Sequence, residues 1–231
     1  VLLSLADARA NGFVADMAHK APPPAQPGLH VFDAWSLEDL RGVIDWTPFF
    51  RAWELHGTYP AILDDAIVGE SARNLFADAN KMLDTIIAEK WLTARAVVGF
   101  WPVNRSPDNA DDIVVYGDKA RKFPIHTLHT LRQQMAREKD RPNLALSDFI
   151  APRGTEDYIG GFAVTAGIGE EKHIQAFKDA KDDYNAILLS ALADRLAEAF
   201  AEAMHEKVRK ELWGYAATEN LSNDELIKEA Y

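Results

Sequence analysis

The amino-acid sequence predicts an α+β fold in which a twisted antiparallel sheet packs with long helices in a single domain. Two stretches, 68–90 and 182–212, repeat apolar residues at the spacing of amphipathic helices. Between them lie three short runs, 95–100, 112–116 and 158–166, which are rich in Val, Ile, Phe and Tyr and are bounded by turn-forming residues. Because helices and strands neither alternate strictly nor separate along the chain, an antiparallel sheet against helices is the expected class.

The first part of the chain is expected to form a short helix and a stiff linker. The helix is predicted within residues 1–20, and four prolines follow before Gly28. Proline lacks the amide donor and restricts the residue before it, so this stretch should be extended. We therefore divide the chain into an N-terminal helix with an interdomain linker, 1–28, and a domain, 29–231.

Short elements are predicted at both ends of this domain. Residues 31–34 indicate a strand, and Ser36 is a typical N-cap for a helix. A second helix is expected to start at Thr47, with Pro48 at its first position, where the missing amide hydrogen costs nothing. Near the end, 222–225 has the sequence of a capping box that opens a last short helix.

Two segments connect the predicted strands. The turn residues 106–109 predict a hairpin between the first two strands. The secondary structure of 122–135 is ambiguous, because Pro124 and Ile125 favour a strand whereas 131–135 favours a helix.

Charge and cysteine content narrow the possible functions. The 231 residues carry a formal net charge of -11 with no visible basic stripe, so nucleic acid and a membrane are not expected as partners. The absence of cysteine excludes disulfides, thiol nucleophiles and thiolate metal sites. No stretch approaches the roughly 18 apolar residues of a membrane span. We therefore expect a cytoplasmic protein that favours a positively charged ligand.

One face of the second long helix is strongly acidic. Asp194, Glu198 and Glu202 follow one another at four-residue spacing, and only Arg195 is near enough to offset their charge. The helical wheel places Arg209 on the same face. Like charges at this spacing slightly destabilise an isolated helix. Two interpretations remain open: the face is solvated and screened by salt, or its acids bind a sulfonium, an ammonium, an imidazolium or a metal ion.

A metal-binding alternative rests on two Glu-x-x-His pairs. Glu202 with His205, and Glu170 with His173, have the spacing found in carboxylate-bridged di-iron bundles. Such bundles need two further carboxylate-bearing helices around one core, and the strands and proline turns between the pairs argue against that arrangement. A di-metal carboxylate protein is the alternative to a ligand-binding module.

A set of specific strings occurs in a fixed order along the chain. The strings are Ile44 to Phe50, Asp78 to Asn80, Val97 to Gly99, Pro102 to Arg105, Leu131 to Gln134, Asp157 to Gly160, Phe162 to Thr165, Asp182 to Asn185, Ala191 to Glu202, Trp213 to Tyr215 and Glu219 to Ser222. In this order they resemble the activation domain of cobalamin-dependent methionine synthase. The match runs from Val31 to the end of the chain, and 45–50 with 193–199 are its most specific parts.

The resemblance implies the function of a reactivation module. In this family an inactive cob(II)alamin is rescued with an electron from flavodoxin or an equivalent reductase and a methyl group from S-adenosylmethionine. The cobalamin is held by the cobalamin-binding domain of the same polypeptide, over which this domain swings, and zinc belongs to a different domain of the parent methyltransferase. The isolated domain is not expected to turn over, and no catalytic residue is assigned to it.

The resemblance also implies which residues form the site. Asp45 and Glu198 line the S-adenosylmethionine site, while Glu170 and Asp194 receive the axial histidine of the cobalamin domain after it leaves cobalt. Carboxylates attract both a cationic ligand and a displaced histidine that has taken up a proton. The acidic face is thus explained without a metal.

The end of the chain departs from the family pattern. The family's Arg-x-x-x-Gly-Tyr-Pro stretch, whose arginine and following backbone hold the ligand, and a later tyrosine of the same site would follow Tyr231. We therefore expect an incomplete site within 29–231, and exposed apolar surface where the last elements of the domain would pack.

Overall fold

The chain forms two compact units, each built from separate parts of the sequence. The computed structural model describes residues 1–16, 22–138, 141–228 and 230–231. The first unit comprises Val1–Leu29, Gly99–Gly161 and Glu211–Tyr215. The second unit comprises His30–Val98, Phe162–Lys210 and Ala216–Tyr231. The division of the chain at residue 28 stays a prediction.

The described residues form seven α-helices, and all but the first lie in the second unit. The α-helices are α1 Leu5–Ala10, α2 Leu37–Arg41, α3 Trp46–Ala52, α4 Gly69–Ala88, α5 Glu170–Asp179, α6 Asp183–Lys207 and α7 Asn223–Ile227. Two 3₁₀ turns, Ala61–Asp64 and Leu146–Phe149, and a π-helical turn, Val208–Leu212, complete the helical structure of the described residues. None of the helices in the described ranges has both the length and the apolar character needed to cross a membrane.

The strands form an antiparallel sheet. They are β1 Gly28–Trp35, β2 Thr93–Arg105, β3 Asp112–Tyr116, β4 Pro124–His129 and β5 Tyr158–Ile168. They follow the order β1-β2-β3-β4, and β5 also pairs with β2. Val103 of β2 lies opposite Val115 of β3, and Ile113 of β3 lies opposite Leu128 of β4. The predicted hairpin and the predicted fold class are therefore confirmed.

The apolar face of α6 forms the centre of the second unit. Leu188, Leu192, Leu196 and Phe200 are fully buried, and α2, α3 and α4 pack against this helix. Burying one such side chain contributes about 1.5–3 kcal/mol, so the stripe is a major source of stability. Together with the π-helical turn, α6 confirms the long helix predicted over 182–212. Helix α4 confirms the helix predicted over 68–90.

The start of α3 differs from the prediction. The N-cap is Asp45, whose Oδ1 accepts a hydrogen bond from the Thr47 amide at 2.9 Å, so Thr47 lies inside the helix. Pro48 is consequently the third helical residue, still within the first turn, where amide hydrogens have no acceptor in the helix. Aspartate is at least as good an N-cap as threonine, which explains the earlier start.

The ambiguous segment 122–135 resolves into a strand. Residues Pro124–His129 pair with β3 as β4, and 131–135 forms no helix. The local sequence favours strand and helix about equally, and the pairing with β3 therefore determines that residues 124–129 form a strand.

The proline-rich segment is attached to a distant part of the first unit. The amides of Ala25 and Gln26 donate hydrogen bonds to the carbonyls of Trp213 and Leu212 at 3.1 and 2.9 Å. The Trp213 indole in turn donates to the Pro22 carbonyl at 2.8 Å. The predicted linker is thus held in place over 22–26, while the end of the predicted first helix, 17–20, lies outside the described residues.

A buried arginine organises the first unit. The Arg132 side chain is 3% exposed, and its Nε donates to Asp111 at 2.8 Å. Nη1 and Nη2 donate to the two carboxylate oxygens of Asp148 at 2.9 and 2.6 Å. Burial alone would raise the pKa of Asp148, but the hydrogen bonds from Arg132 and the Ala145 amide, with the charge of Arg132, hold it below its ordinary value. Asp148 therefore stays ionised beside Arg132.

Replacing Asp148 with alanine removes the forked partner of this buried charge. We expect Asp148→Ala to lower the free energy of unfolding by about 3–5 kcal/mol, measured by urea denaturation. Asp84→Ala is the matched control, because Asp84 pairs with Arg41 while its own side chain is 65% exposed. Loss of that surface pair should cost less than about 1 kcal/mol. Similar losses in the two variants would contradict a stabilising role for the buried pair.

Candidate functional site

The four residues that the resemblance implies all lie in the second unit. Asp45 caps α3, Glu170 is the first residue of α5, and Asp194 and Glu198 lie one turn apart on α6. Helices α3 and α5 both pack against α6. The three elements that carry these acids are therefore neighbours in the fold.

Asp45 is held by its own helix. Its half-buried side chain uses Oδ1 to accept the Thr47 amide, and the helix that follows buries Trp46, Phe49 and Phe50. The cap fixes the direction of the carboxylate, and the packing of the three aromatic side chains fixes the position of the cap. Asp45 is thus a preorganised anionic group at the start of α3.

Glu170 is brought against α6 by a tight turn. Gly169, the N-cap of α5, has a φ of 105°, and a Cβ there would lie 2.7 Å from the Trp91 carbonyl oxygen. Only glycine is accommodated easily at this position, because an L side chain would be both strained and in collision. The turn directs Glu170 toward Gly167. A Cβ at Gly167 would lie 3.6 Å from Glu170 Oε2 and 3.7 Å from Ala193 Cβ.

This placement brings the Glu170 carboxylate close enough to Asp194 for their charges to interact. Burial, followed by the charges of Glu171 and Asp194, raises the pKa of Glu170 above its ordinary value. The two acids to which the resemblance gives one role are therefore close in the fold, and they repel one another when both are ionised. A positively charged group between them would remove this repulsion.

Glu198 is paired within its own helix. Arg195 forms an ion pair with Glu198 and lies 3.5 Å from Asp194, with its Nη atoms pointing at both acids. The side chains of Asp194 and Glu198 remain 79% and 51% exposed, so the part of the acidic face that these two residues form is open to solvent. The sequence prediction that Arg195 offsets these charges is confirmed. The face is not uniformly solvated, because Glu202 is half-buried.

The structure corrects the helical-wheel prediction for Arg209. The sequence places Arg209 on the polar face, but the residue is 2% exposed and donates to both carboxylate oxygens of Glu219, with Nη2 at 2.6 Å from Oε1. Its guanidinium also lies 3.9 Å from the ring centroid of Tyr231. The change to a π-helical turn at Val208 alters the helical phase there, so a wheel at constant pitch fails.

The structure does not support the di-metal alternative. His173 stacks on Trp91 with ring centroids 4.1 Å apart, and His205 makes an edge contact with Tyr231 at 4.8 Å. Within the described ranges, no group of three or more His, Asp or Glu residues is arranged to hold a metal ion. The two histidines therefore contribute to aromatic packing, each with a different partner.

A cavity that sequence reasoning missed lies between α4, α5 and α6. It has a volume of about 300 Å³ and includes Asp78, Trp91, Phe177 and Tyr184 in its lining. The Tyr184 hydroxyl donates to Asp78 at 2.7 Å, and burial, together with that hydrogen bond, raises the pKa of Tyr184 to about 12. Both residues lie in strings that carry the resemblance, but no local spacing could pair side chains 106 positions apart.

The outer face of the sheet in the second unit carries an apolar groove. Its volume is about 440 Å³, and its lining includes Val31, Val97, Ala163 and Ile168. Val31 and Ile168 are 58% and 44% exposed.

Comparison with known proteins identifies the family. The family described as vitamin B12 dependent methionine synthase, activation domain, matches residues 36–231. A crystal structure of the MetH reactivation domain bound to AdoHcy superimposes with a TM-score of 0.94 and 51% sequence identity, covering 100% of this chain and 70% of that chain. On the extent of the family match and on this shared fold, the chain belongs to the activation domains of vitamin B12 dependent methionine synthases.

Proposed function

We propose that this chain binds S-adenosylmethionine with Asp45 and Glu198, and that Glu170 and Asp194 receive the imidazole of the axial histidine released by the cobalamin-binding domain of the same polypeptide. In this role the chain is the reactivation module of a cytoplasmic methionine synthase, an enzyme of methionine biosynthesis. Flavodoxin or an equivalent reductase supplies the electron. Zinc, where the parent enzyme holds it, belongs to another domain.

The ligand assignment is supported by the similar MetH domain and by local charge. That domain holds AdoHcy and shares 51% identity with this chain. S-adenosylmethionine differs from it by a methyl group and the positive charge of a sulfonium. Asp45 and Glu198 are carboxylates on helices that pack together, which suits a cationic ligand.

The histidine assignment rests on the proximity of Glu170 and Asp194. The burial of Glu170 and its repulsion by Glu171 and Asp194 favour a proton or a cation at this carboxylate. An imidazole that leaves a metal becomes basic again and takes up a proton near neutral pH. The two acids would then hold the imidazolium away from the metal by charge and hydrogen bonding.

The chemistry is divided between the ligands and the protein. S-adenosylmethionine supplies the methyl group, and cobalamin, when bound by its own domain, supplies the cobalt that accepts it. The residues of this chain bind, orient and balance charge. The isolated chain is therefore not expected to turn over.

Asp45→Asn separates the charge of this residue from its capping role, because asparagine caps a helix about as well as aspartate. We expect the variant to keep the thermal stability of the parent and to bind S-adenosylmethionine about tenfold more weakly, as loss of one charge-assisted contact predicts. Calorimetric titration measures this affinity, both in this chain and in a version extended by the C-terminal part of the similar MetH reactivation domain.

Asp182→Asn provides the matched control. It makes the same substitution at another N-cap, since Asp182 caps α6 by accepting the Asn185 amide. Its affinity should equal that of the parent. Binding that is unaffected by Asp45→Asn, or absent from the extended version, would refute the ligand assignment.

The pKa of Glu170 tests the second pair. We expect an NMR titration to place it above the ordinary value of 4.5 and to show that it falls in Asp194→Asn, because one of the repelling charges is gone. Raised in the folded state, this pKa means that stability decreases as pH rises through it. Asp194→Asn should therefore stabilise the chain above that pKa and not below it.

Asp179→Asn serves as the comparison, because Asp179 lies at the opposite end of α5 and binds Gln175. This variant should leave the Glu170 titration unchanged. A Glu170 pKa at its ordinary value in the parent chain, or one that does not respond to Asp194→Asn, would mean that the two carboxylates do not act as a pair.

A further inference from the structure

We propose that a cavity in the first unit binds a small oxyanion that also carries a hydrogen-bond donor, as a hydroxy acid or hydrogen phosphate does. The cavity has a volume of about 270 Å³ and is lined by Asn104, Ala120, Arg121, Arg153, Gly154, Thr155 and Glu156. None of these residues belongs to the site of the proposed function, whose four acids lie in the second unit. The two proposals are therefore independent.

Arg121 supplies a fixed positive charge. Its Nη2 donates to the Asp157 carbonyl at 2.7 Å and its Nη1 to the Lys119 carbonyl at 3.0 Å, while the guanidinium lies 5.3 Å from the Tyr158 ring centroid. These partners are neutral, and among the described residues no carboxylate pairs with Arg121 or accepts from its Nε. A guanidinium has five N–H groups, so donors remain for an anion.

Asn104 supplies an acceptor. The residue is fully buried, and its Nδ2 lies 3.2, 3.1 and 2.8 Å from the carbonyl oxygens of Ala151, Pro152 and Thr155. Three acceptors around one atom identify it as the nitrogen, so the orientation of the amide is fixed. No residue in the described ranges donates to Asn104 Oδ1. A buried acceptor without a donor costs about 1–3 kcal/mol, which a ligand hydroxyl would offset.

Charge and size limit the ligand. Arg153 is exposed and forms no ion pair within the described ranges. The negative charge of Glu156 offsets only one of the two positive charges that Arg121 and Arg153 bring to the lining. The cavity is thus locally positive in a chain of net charge -11. Sites for drug-sized ligands begin at about 300 Å³, so this one suits a compact anion rather than a nucleotide.

Calorimetric titration with L-malate, succinate and inorganic phosphate tests the proposal on this chain. L-malate should bind more tightly than succinate by about tenfold, because only malate carries a hydroxyl for Asn104 Oδ1. Arg153→Gln should weaken malate binding by about tenfold, and Glu156→Gln should strengthen it. Arg51→Gln, which changes an exposed arginine of α3, should have no effect.

The relative affinities identify the source of the anion. Tighter binding of phosphate would support a phosphorylated ligand, and tighter binding of malate would support a hydroxycarboxylate. Both Arg153 and Glu156 are exposed, so their variants should keep the melting temperature of the parent, and a melting scan checks this. The proposal is overturned if none of the three anions binds, or if malate and succinate bind equally and Arg153→Gln changes neither affinity.

Discussion

Burial of the apolar stripe on α6 is the constraint on which the rest of the second unit depends. Leu192, Leu196 and Phe200 have no contact with water, so the rotation of the helix about its axis is fixed. Asp194 and Glu198, each two positions from the nearest members of this stripe, must then face away from the core. The positions of Asp194 and Glu198 are thus set by hydrophobic packing, and their mutual repulsion is too small to rotate the helix.

The same helix shows which structural features can be predicted from the sequence and which cannot. A period of three to four residues over many turns is a strong signal, so α4 and α6 were predictable almost to their ends. The acidic spacing on α6 was visible for the same reason. The approach of Glu170 to Asp194 was not, because it depends on how α5 packs on α6, and only the family resemblance supplied it.

Strand β4 and the pairing of Arg209 also depend on structure beyond the local sequence. Strand β4 formed where local preferences were balanced, because pairing with β3 decided the outcome. The pairing of Arg209 with Glu219 depends on a change of helical pitch that composition does not reveal. The early start of α3 is different. There, Asp45 and Thr47 are both good caps, and either choice agrees with the local sequence.

Two charged clusters, one in each unit, differ in how their charges are balanced. In the first, Arg132 is enclosed by carboxylates that match its donors, so buried charge stabilises the structure. In the second, burial and the charges of Glu171 and Asp194 disfavour the ionised form of Glu170. Natural proteins accept such local conflicts mainly where a ligand or partner resolves them.

The hydrogen bonds of the proline-rich segment have a mechanical consequence. Pro22, Ala25 and Gln26 are tied to Leu212 and Trp213, about 190 positions later in the chain. A force on the N-terminal side of the segment would have to break these three hydrogen bonds before it displaced residues 22–26. The prolines between them stretch little under load. The segment therefore acts as a short, stiff tether that is fixed at Leu212 and Trp213.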